Sequence, residues 1–74
     1  MAYDYRKLCG RFVEKFGTQG RFAEAMGMSE RSLSLKLNCK VPFKQPEITK
    51  ACELLEIEPT GIADYFFALK VQNA

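Results

Sequence analysis

Three residues in the first half of the chain, Ala23, Gly27 and Leu33, constrain the fold more than any other feature of the sequence. The small side chain of Ala23 lets a second helix cross close over the first. Gly27 permits the left-handed backbone that a tight turn between helices requires, and Leu33 fills the angle between the two helices. The pattern Ala-x3-Gly-x5-Leu, with Gln19 four residues before the alanine, therefore predicts a helix-turn-helix.

Apolar residues recur at helical spacing on both sides of this unit, between marks of glycine, proline and asparagine. We expect Asp4, Thr18 and Ser29 to cap the first three helices. The expected helices are Tyr5–Phe16, Gln19–Met26, Glu30–Leu37, a fourth that begins near Pro46, and a short fifth over Pro59–Phe66. The sequence thus predicts an all-α, compact five-helix domain over residues 1–74, with the helix-turn-helix at about 18–38.

The C-terminal tail changes period, because Phe67, Leu69 and Val71 alternate with Ala68, Lys70 and Gln72. Such alternation is typical of a short strand, which needs a pairing partner. Two interpretations stay open. The tail either continues the fifth helix as a frayed end, or pairs antiparallel with the tail of a second copy.

Composition excludes several classes of protein. The chain has no histidine, an odd number of cysteines (three) and no C-x-x-C pair, which argues against a disulfide framework or a zinc site. No apolar run approaches the roughly 18 residues of a membrane span, and no signal peptide is visible, so a cytoplasmic location is expected. Neither a glycine-rich phosphate loop nor a nucleophile–base pair is present, so we expect no enzyme activity, cofactor or metal.

Charge is distributed unevenly along the chain. The net charge of +2 is low for a nucleic-acid binder. Residues 1–50, however, hold ten Lys and Arg against five acids, whereas residues 51–74 hold one Lys against four acids. The basic part of the chain is therefore the part that contains the helix-turn-helix.

The segment Gln19–Asn38, which reads QGRFAEAMGMSERSLSLKLN, resembles the helix-turn-helix of lambda-repressor/Cro-like proteins. It is most similar to small Cro-like and repressor proteins of Gram-positive phages and prophages. The resemblance implies a five-helix lambda-repressor-like fold, binding to operator DNA as a dimer, and control of a genetic switch. Lys36 departs from the family, in which an apolar residue is common at that place, so helix 3 is expected to pack somewhat differently.

The outer face of the third helix is the candidate surface for contact with DNA bases in the major groove. Arg31 can donate two hydrogen bonds to guanine, Ser34 can serve several bases, and Leu35 can meet a thymine methyl group. Glu30 can accept from cytosine N4 or orient Arg31. Simpler interpretations stay open: a solvated face for Arg31, an acid favoured by the helix dipole for Glu30, and a core or protein contact for Leu35.

A second set of residues is expected to hold the DNA backbone. In the family that it resembles, Gln19 grips a phosphate at the start of the second helix. The other candidates are polar residues that flank the third helix or lie on its first turn: Ser29, Ser32, Asn38, Lys40 and Lys44. For Lys36 and Lys40 the simpler interpretation is again a solvated face.

An exposed apolar set is expected to form a homodimer contact, namely Val41, Phe43, Phe67 and Leu69. The alternative for Phe43 is full burial within its own monomer.

Two functions follow from the sequence. The first is a sequence-specific transcriptional regulator that binds double-stranded operator DNA. The alternative is a protein-interaction modulator, similar to an antirepressor, that binds a phage repressor; the modest net charge and the outward Leu35 favour it.

Overall fold

Helices account for most of residues 2–70, the part of the chain that the computed structural model describes. Their bounds are α1 Arg6–Phe16, α2 Gln19–Met26, α3 Glu30–Leu37, α4 Gln45–Leu55 and α5 Ile62–Phe66, with a 3-10 turn at Pro59–Gly61 before α5. The all-α, five-helix prediction is confirmed. Among the described residues no helix is both long and apolar enough to cross a membrane.

Two helix starts differ from the prediction. The N-cap of α1 is Tyr5, one residue later than expected. Asp4 nevertheless accepts a hydrogen bond from the Arg6 backbone N–H at 3.0 Å and pairs with its guanidinium at 2.7 Å. These hydrogen bonds from Arg6 lower the pKa of the Asp4 carboxyl to about 2. The fifth helix was expected from Pro59, but its first turn is the 3-10 turn and the α-helix begins at Ile62.

All five helices contribute to one core. The largest fully buried side chains of this core are Leu8, Phe12, Phe22, Leu33, Leu55 and Phe66. The rings of Phe12 and Phe22 stack at a centroid distance of 4.8 Å, which joins α1 to α2. Because α2 and α3 each bury one face in this core, their other faces are exposed to solvent.

The C-terminal tail pairs with the N-terminal segment of the same chain. Leu69 forms an isolated antiparallel bridge with Tyr3. The Asp4 N–H donates to the Ala68 carbonyl at 2.6 Å, and the Lys70 N–H donates to the Ala2 carbonyl at 3.1 Å. The frayed-helix interpretation is therefore wrong for residues 67–70. The tail forms one isolated bridge within the monomer and, among the described residues, no strand. Pairing with the tail of a second copy stays a prediction, and Val71 lies outside the described residues.

Replacement of two glycines by alanine should change the free energy of unfolding in opposite directions. Gly27 ends α2 at φ +75°, in the left-handed region. Gly27→Ala should therefore lower the free energy of unfolding by about 1 kcal/mol. Gly10 lies inside α1, where a Cβ would meet nothing within 4 Å, so Gly10→Ala should raise it by about 0.5–1 kcal/mol. Urea unfolding of both variants measures this, and equal effects would contradict the assignment of Gly27 to the turn.

Candidate interaction face of the helix-turn-helix

Local capping sets the helix-turn-helix. The Thr18 hydroxyl accepts a hydrogen bond from the Arg21 N–H, and the Ser29 hydroxyl accepts one from the Ser32 N–H, both at 3.1 Å. In the turn, the Met28 N–H donates to the Ala23 carbonyl at 3.0 Å. These contacts confirm both predicted N-caps and fix α3 relative to α2.

The three residues that predicted this unit occupy the expected places. Ala23 and Leu33 are buried, and Gly27 adopts the left-handed conformation at the end of α2. The tight turn between α2 and α3 therefore has the small residue, the left-handed glycine and the buried leucine that the sequence predicted at these positions.

The four predicted base-contact residues lie on the outer side of α3 and are exposed to different degrees. Glu30 and Arg31 are exposed, Leu35 is 37% exposed, and Ser34 is half-buried. Leu35 is thus the apolar side chain of this outer face rather than a core residue. No contact with a partner tests their roles, so their assignment to bases stays a prediction.

Glu30 reaches back across the turn towards the start of α2. A methyl group placed on Gly20 would lie 3.4 Å from Glu30 Oε2 and 3.5 Å from Oε1. The carboxylate therefore lies directly beside the first turn of α2. This contact was not expected from the sequence, because it depends on the angle between α2 and α3.

A groove of about 650 Å³ runs beside the helix-turn-helix. Gln19, Ser34 and Asn38 line it, so the structure brings one predicted base-contact residue together with two predicted backbone-contact residues. Its remaining lining comes from α1, α3 and the two terminal segments: Asp4, Tyr5, Arg6, Cys9, Leu37 and Lys70. We refer to it as the terminal groove.

Sequence reasoning missed the contribution of the termini to the terminal groove. Asp4 and Lys70 are 66 positions apart in the sequence. They reach the groove because the Asp4 N–H and the Lys70 N–H both take part in the pairing of the terminal segments. Only the alternation of the tail hinted at such a pairing, and it did not indicate the partner.

Lys36 is buried, which corrects the interpretation of this residue as part of a solvated face. Its ammonium lies 3.1 Å from Glu47 Oε1 and donates to the Pro42 carbonyl at 3.3 Å. Its side chain is 7% exposed and that of Glu47 is 23% exposed. This ion pair connects α3 to the first turn of α4, and it explains the departure from the apolar residue common at that place in the resembled family.

Glu47 also caps α4, since it accepts a hydrogen bond from the Lys44 backbone N–H at 2.8 Å. Partial burial by itself raises the pKa of Glu47. The Lys44 N–H and the Lys36 ammonium outweigh that effect, so the pKa of Glu47 is lowered overall. The carboxylate therefore stays ionised and paired near neutral pH.

The remaining predicted backbone-contact residues are placed around α3. Lys40 and Lys44 are exposed in the segment between α3 and α4, and Asn38 is the C-cap of α3. The Ser29 hydroxyl contacts the hydroxyl of Ser32 at 3.0 Å, so both serine side chains already take part in the cap.

Several cations that give the first two-thirds of the chain its positive charge are paired with acids elsewhere. Arg11 pairs with Glu14 at 2.6 Å and donates to the Leu55 carbonyl, and Lys15 pairs with Glu56. The positive charge that these two residues of α1 present to a partner is therefore reduced by their pairing.

The four predicted dimer residues lie around one apolar cleft or beside it. Val41, Phe67 and Leu69 are 38%, 49% and 52% exposed. Phe43 is half-buried, because its ring packs edge-on against the rings of Tyr5 and Phe66, each at 5.3 Å. Full burial of Phe43 within the monomer is therefore not observed, and its role in a dimer stays a prediction. The cleft has a volume of about 270 Å³.

Comparisons with known proteins give a family and a similar solved structure. In sequence and structure the chain is similar to the solution structure of the modulator of repression (MOR) of the temperate bacteriophage TP901-1 from Lactococcus lactis. The two share 56% identity over 97% of each chain, with a TM-score of 0.81. A comparison with curated proteins gave no match. Residues 1–69 match a family model described as "Protein of unknown function (DUF739)", and the chain belongs to this family.

Proposed function

We propose that this chain is a phage regulatory protein that modulates a repressor by binding the repressor protein itself. The observation that carries this proposal is the 56% identity to a modulator of repression over 97% of both chains. Identity at this level along the whole length favours a shared mode of action as well as a shared fold. A protein with this role acts where a phage repressor meets its DNA, which is the cytoplasm of the host.

The charges of the outer face support a protein partner. Within α3 the charged residues are Glu30, Arg31 and Lys36, and Lys36 is buried against Glu47. The exposed charges of α3 are then one acid and one base, which cancel. A DNA-binding helix usually presents an excess of positive charge to the phosphates, whereas a protein partner can match a neutral face.

Leu35 adds an apolar contact to this neutral face. Its side chain is 37% exposed and is flanked on the outer side of α3 by Arg31 and Ser34. Arginine is enriched among the residues that carry the binding energy of protein–protein contacts, and a partly exposed leucine beside it offers apolar surface that a partner can bury. We therefore assign the repressor contact to the outer face of α3.

Two substitutions test this assignment by isothermal titration of the repressor encoded beside the gene. Leu35→Ser and Arg31→Ala should each weaken binding tenfold or more, as expected for central contact residues. Val13→Ser is the matched control, because Val13 is an exposed apolar residue of α1, outside the helix-turn-helix. Equal affinity for wild type and both α3 variants would remove the repressor contact from this face.

Operator DNA is the second candidate partner. The capped helix-turn-helix and the placement of Gln19, Ser34 and Asn38 along the terminal groove favour it. In this account the chain would be a lambda-repressor/Cro-like regulator. Its homodimer, through Val41, Phe43, Phe67 and Leu69, would have to match half-sites about one helical turn of DNA apart. Sequence-specific binding to DNA from its own locus would support this candidate over the first.

A further inference from the structure

The carboxylate of Glu30 lies where a helix-turn-helix normally approaches the DNA backbone. In such proteins the helix before the recognition helix crosses the backbone, and phosphates favour helix N-termini. In this chain that helix is α2, and the two Glu30 oxygens lie within 3.4 and 3.5 Å of the position that a Gly20 Cβ would take. A phosphate at the first turn of α2 would therefore meet a negative charge that is already there.

The position of the Glu30 carboxylate matters because the first turn of α2 has backbone N–H groups without an acceptor in the helix. Thr18 accepts from the N–H groups of Arg21 and Phe22. The N–H groups of Gln19 and Gly20 have no acceptor within the helix, as at the start of any α-helix. These donors and the helix dipole attract an anion. The Glu30 carboxylate lies beside this turn, where the absence of a side chain at Gly20 leaves space for it.

The cations of α3 leave no excess of positive charge beside Glu30. Arg31 balances it on α3, while Lys36 is held in the pair with Glu47. Arg21 is an exposed cation on the first turn of α2, but it lies beside Phe16 and Glu24, on the side towards α1. Lys40 and Lys44 follow α3 rather than the start of α2. The repulsion at the first turn of α2 is therefore local, and it acts on the backbone contact that Gln19 would otherwise make.

We propose that Glu30 is a specificity-determining residue, which keeps the helix-turn-helix face from binding DNA and leaves it to a protein partner. This inference rests on the proposed function, because it explains how a fold suited to DNA serves as a repressor-binding module. From the sequence, Glu30 was expected to contact a DNA base. In this account its carboxylate instead lies against α2 of its own chain.

The test compares two neutralising substitutions in the full chain. Glu30→Gln removes the charge at α2. Glu53→Gln, at an exposed position of α4, raises the net charge equally, from the formal +2. Binding to a labelled 20-base-pair duplex of mixed sequence is followed by fluorescence anisotropy at several salt concentrations. Glu30→Gln should bind about tenfold or more tightly than wild type, and the slope of log affinity against log salt should steepen by about one phosphate contact.

Glu53→Gln should change DNA affinity less than threefold. If the two variants bind DNA equally, the placement of Glu30 has no special effect and the inference is overturned. Circular dichroism of both variants confirms that each is folded, and Glu30→Ser provides a second neutral variant at the same place. Titration of wild type with the repressor is a separate measurement, so failure of the proposed function is distinguishable from failure of this inference.

Discussion

Phe22→Ala should lower the free energy of unfolding by about 4 kcal/mol, which is the usual cost of removing a buried phenylalanine. Phe22 is fully buried. Its ring stacks on Phe12 at 4.8 Å and lies 5.5 Å from Phe16. The substitution therefore opens a cavity between α1 and α2. A chain of this length has a total stability of only about 4–11 kcal/mol, so much of the variant should be unfolded at 37 °C.

Chemical denaturation followed by circular dichroism measures this effect. Val13→Ala is the control, because it truncates an apolar side chain that is 49% exposed. That variant should lose less than about 0.5 kcal/mol, as surface substitutions usually do. A loss below 1 kcal/mol for Phe22→Ala would contradict the place of this ring at the centre of the core.

Glu47→Ala should lower the free energy of unfolding by about 3 kcal/mol, because it leaves the Lys36 ammonium buried without its counter-charge. Lys36→Met should cost less than about 1 kcal/mol, since methionine fills a similar volume and the more exposed Glu47 keeps its bond from the Lys44 N–H. The double variant Lys36→Met/Glu47→Ala should then recover about 2 kcal/mol of the loss, since no buried charge remains.

Denaturation of the three variants in one buffer gives the coupling between the two residues. Additive losses would contradict a buried ion pair.

The pair also predicts acid sensitivity. Since the pKa of Glu47 is lowered in the folded state, its contribution is present above the ordinary value of 4.5 and is lost as the pH falls below it. Lys36→Met/Glu47→Ala should lack this part of the acid response.

The bounds and caps of α2 and α3 were predictable from the sequence because their determinants are local. Thr18 and Ser29 lie three residues before the N–H groups that they cap. Gly27 is placed directly at the turn that needs its conformation. Short-range rules of this kind depend on residue type and spacing alone, so one sequence is enough to apply them.

Contacts between distant parts of the chain were not predictable in the same way. The sequence marked Lys36 as unusual, but its partner Glu47 lies eleven residues later, across a turn and the start of α4. The tail showed strand alternation, but nothing in it indicated that Leu69 would face Tyr3. The approach of Glu30 to Gly20 depends likewise on the crossing of α2 and α3. Each needs the relative position of two elements, which a periodic pattern does not contain.

The most direct test of the account is a parallel titration of the purified full chain. In one arm it is titrated with the repressor encoded at its own locus, and in the other with duplex DNA from the same locus and with a mixed-sequence duplex. We expect a complex with the repressor at a Kd of about 1 μM or tighter, and no preference for the locus DNA over the mixed-sequence duplex. Specific binding to the locus DNA, together with no complex with the repressor, would contradict the proposal that this chain acts on a repressor protein.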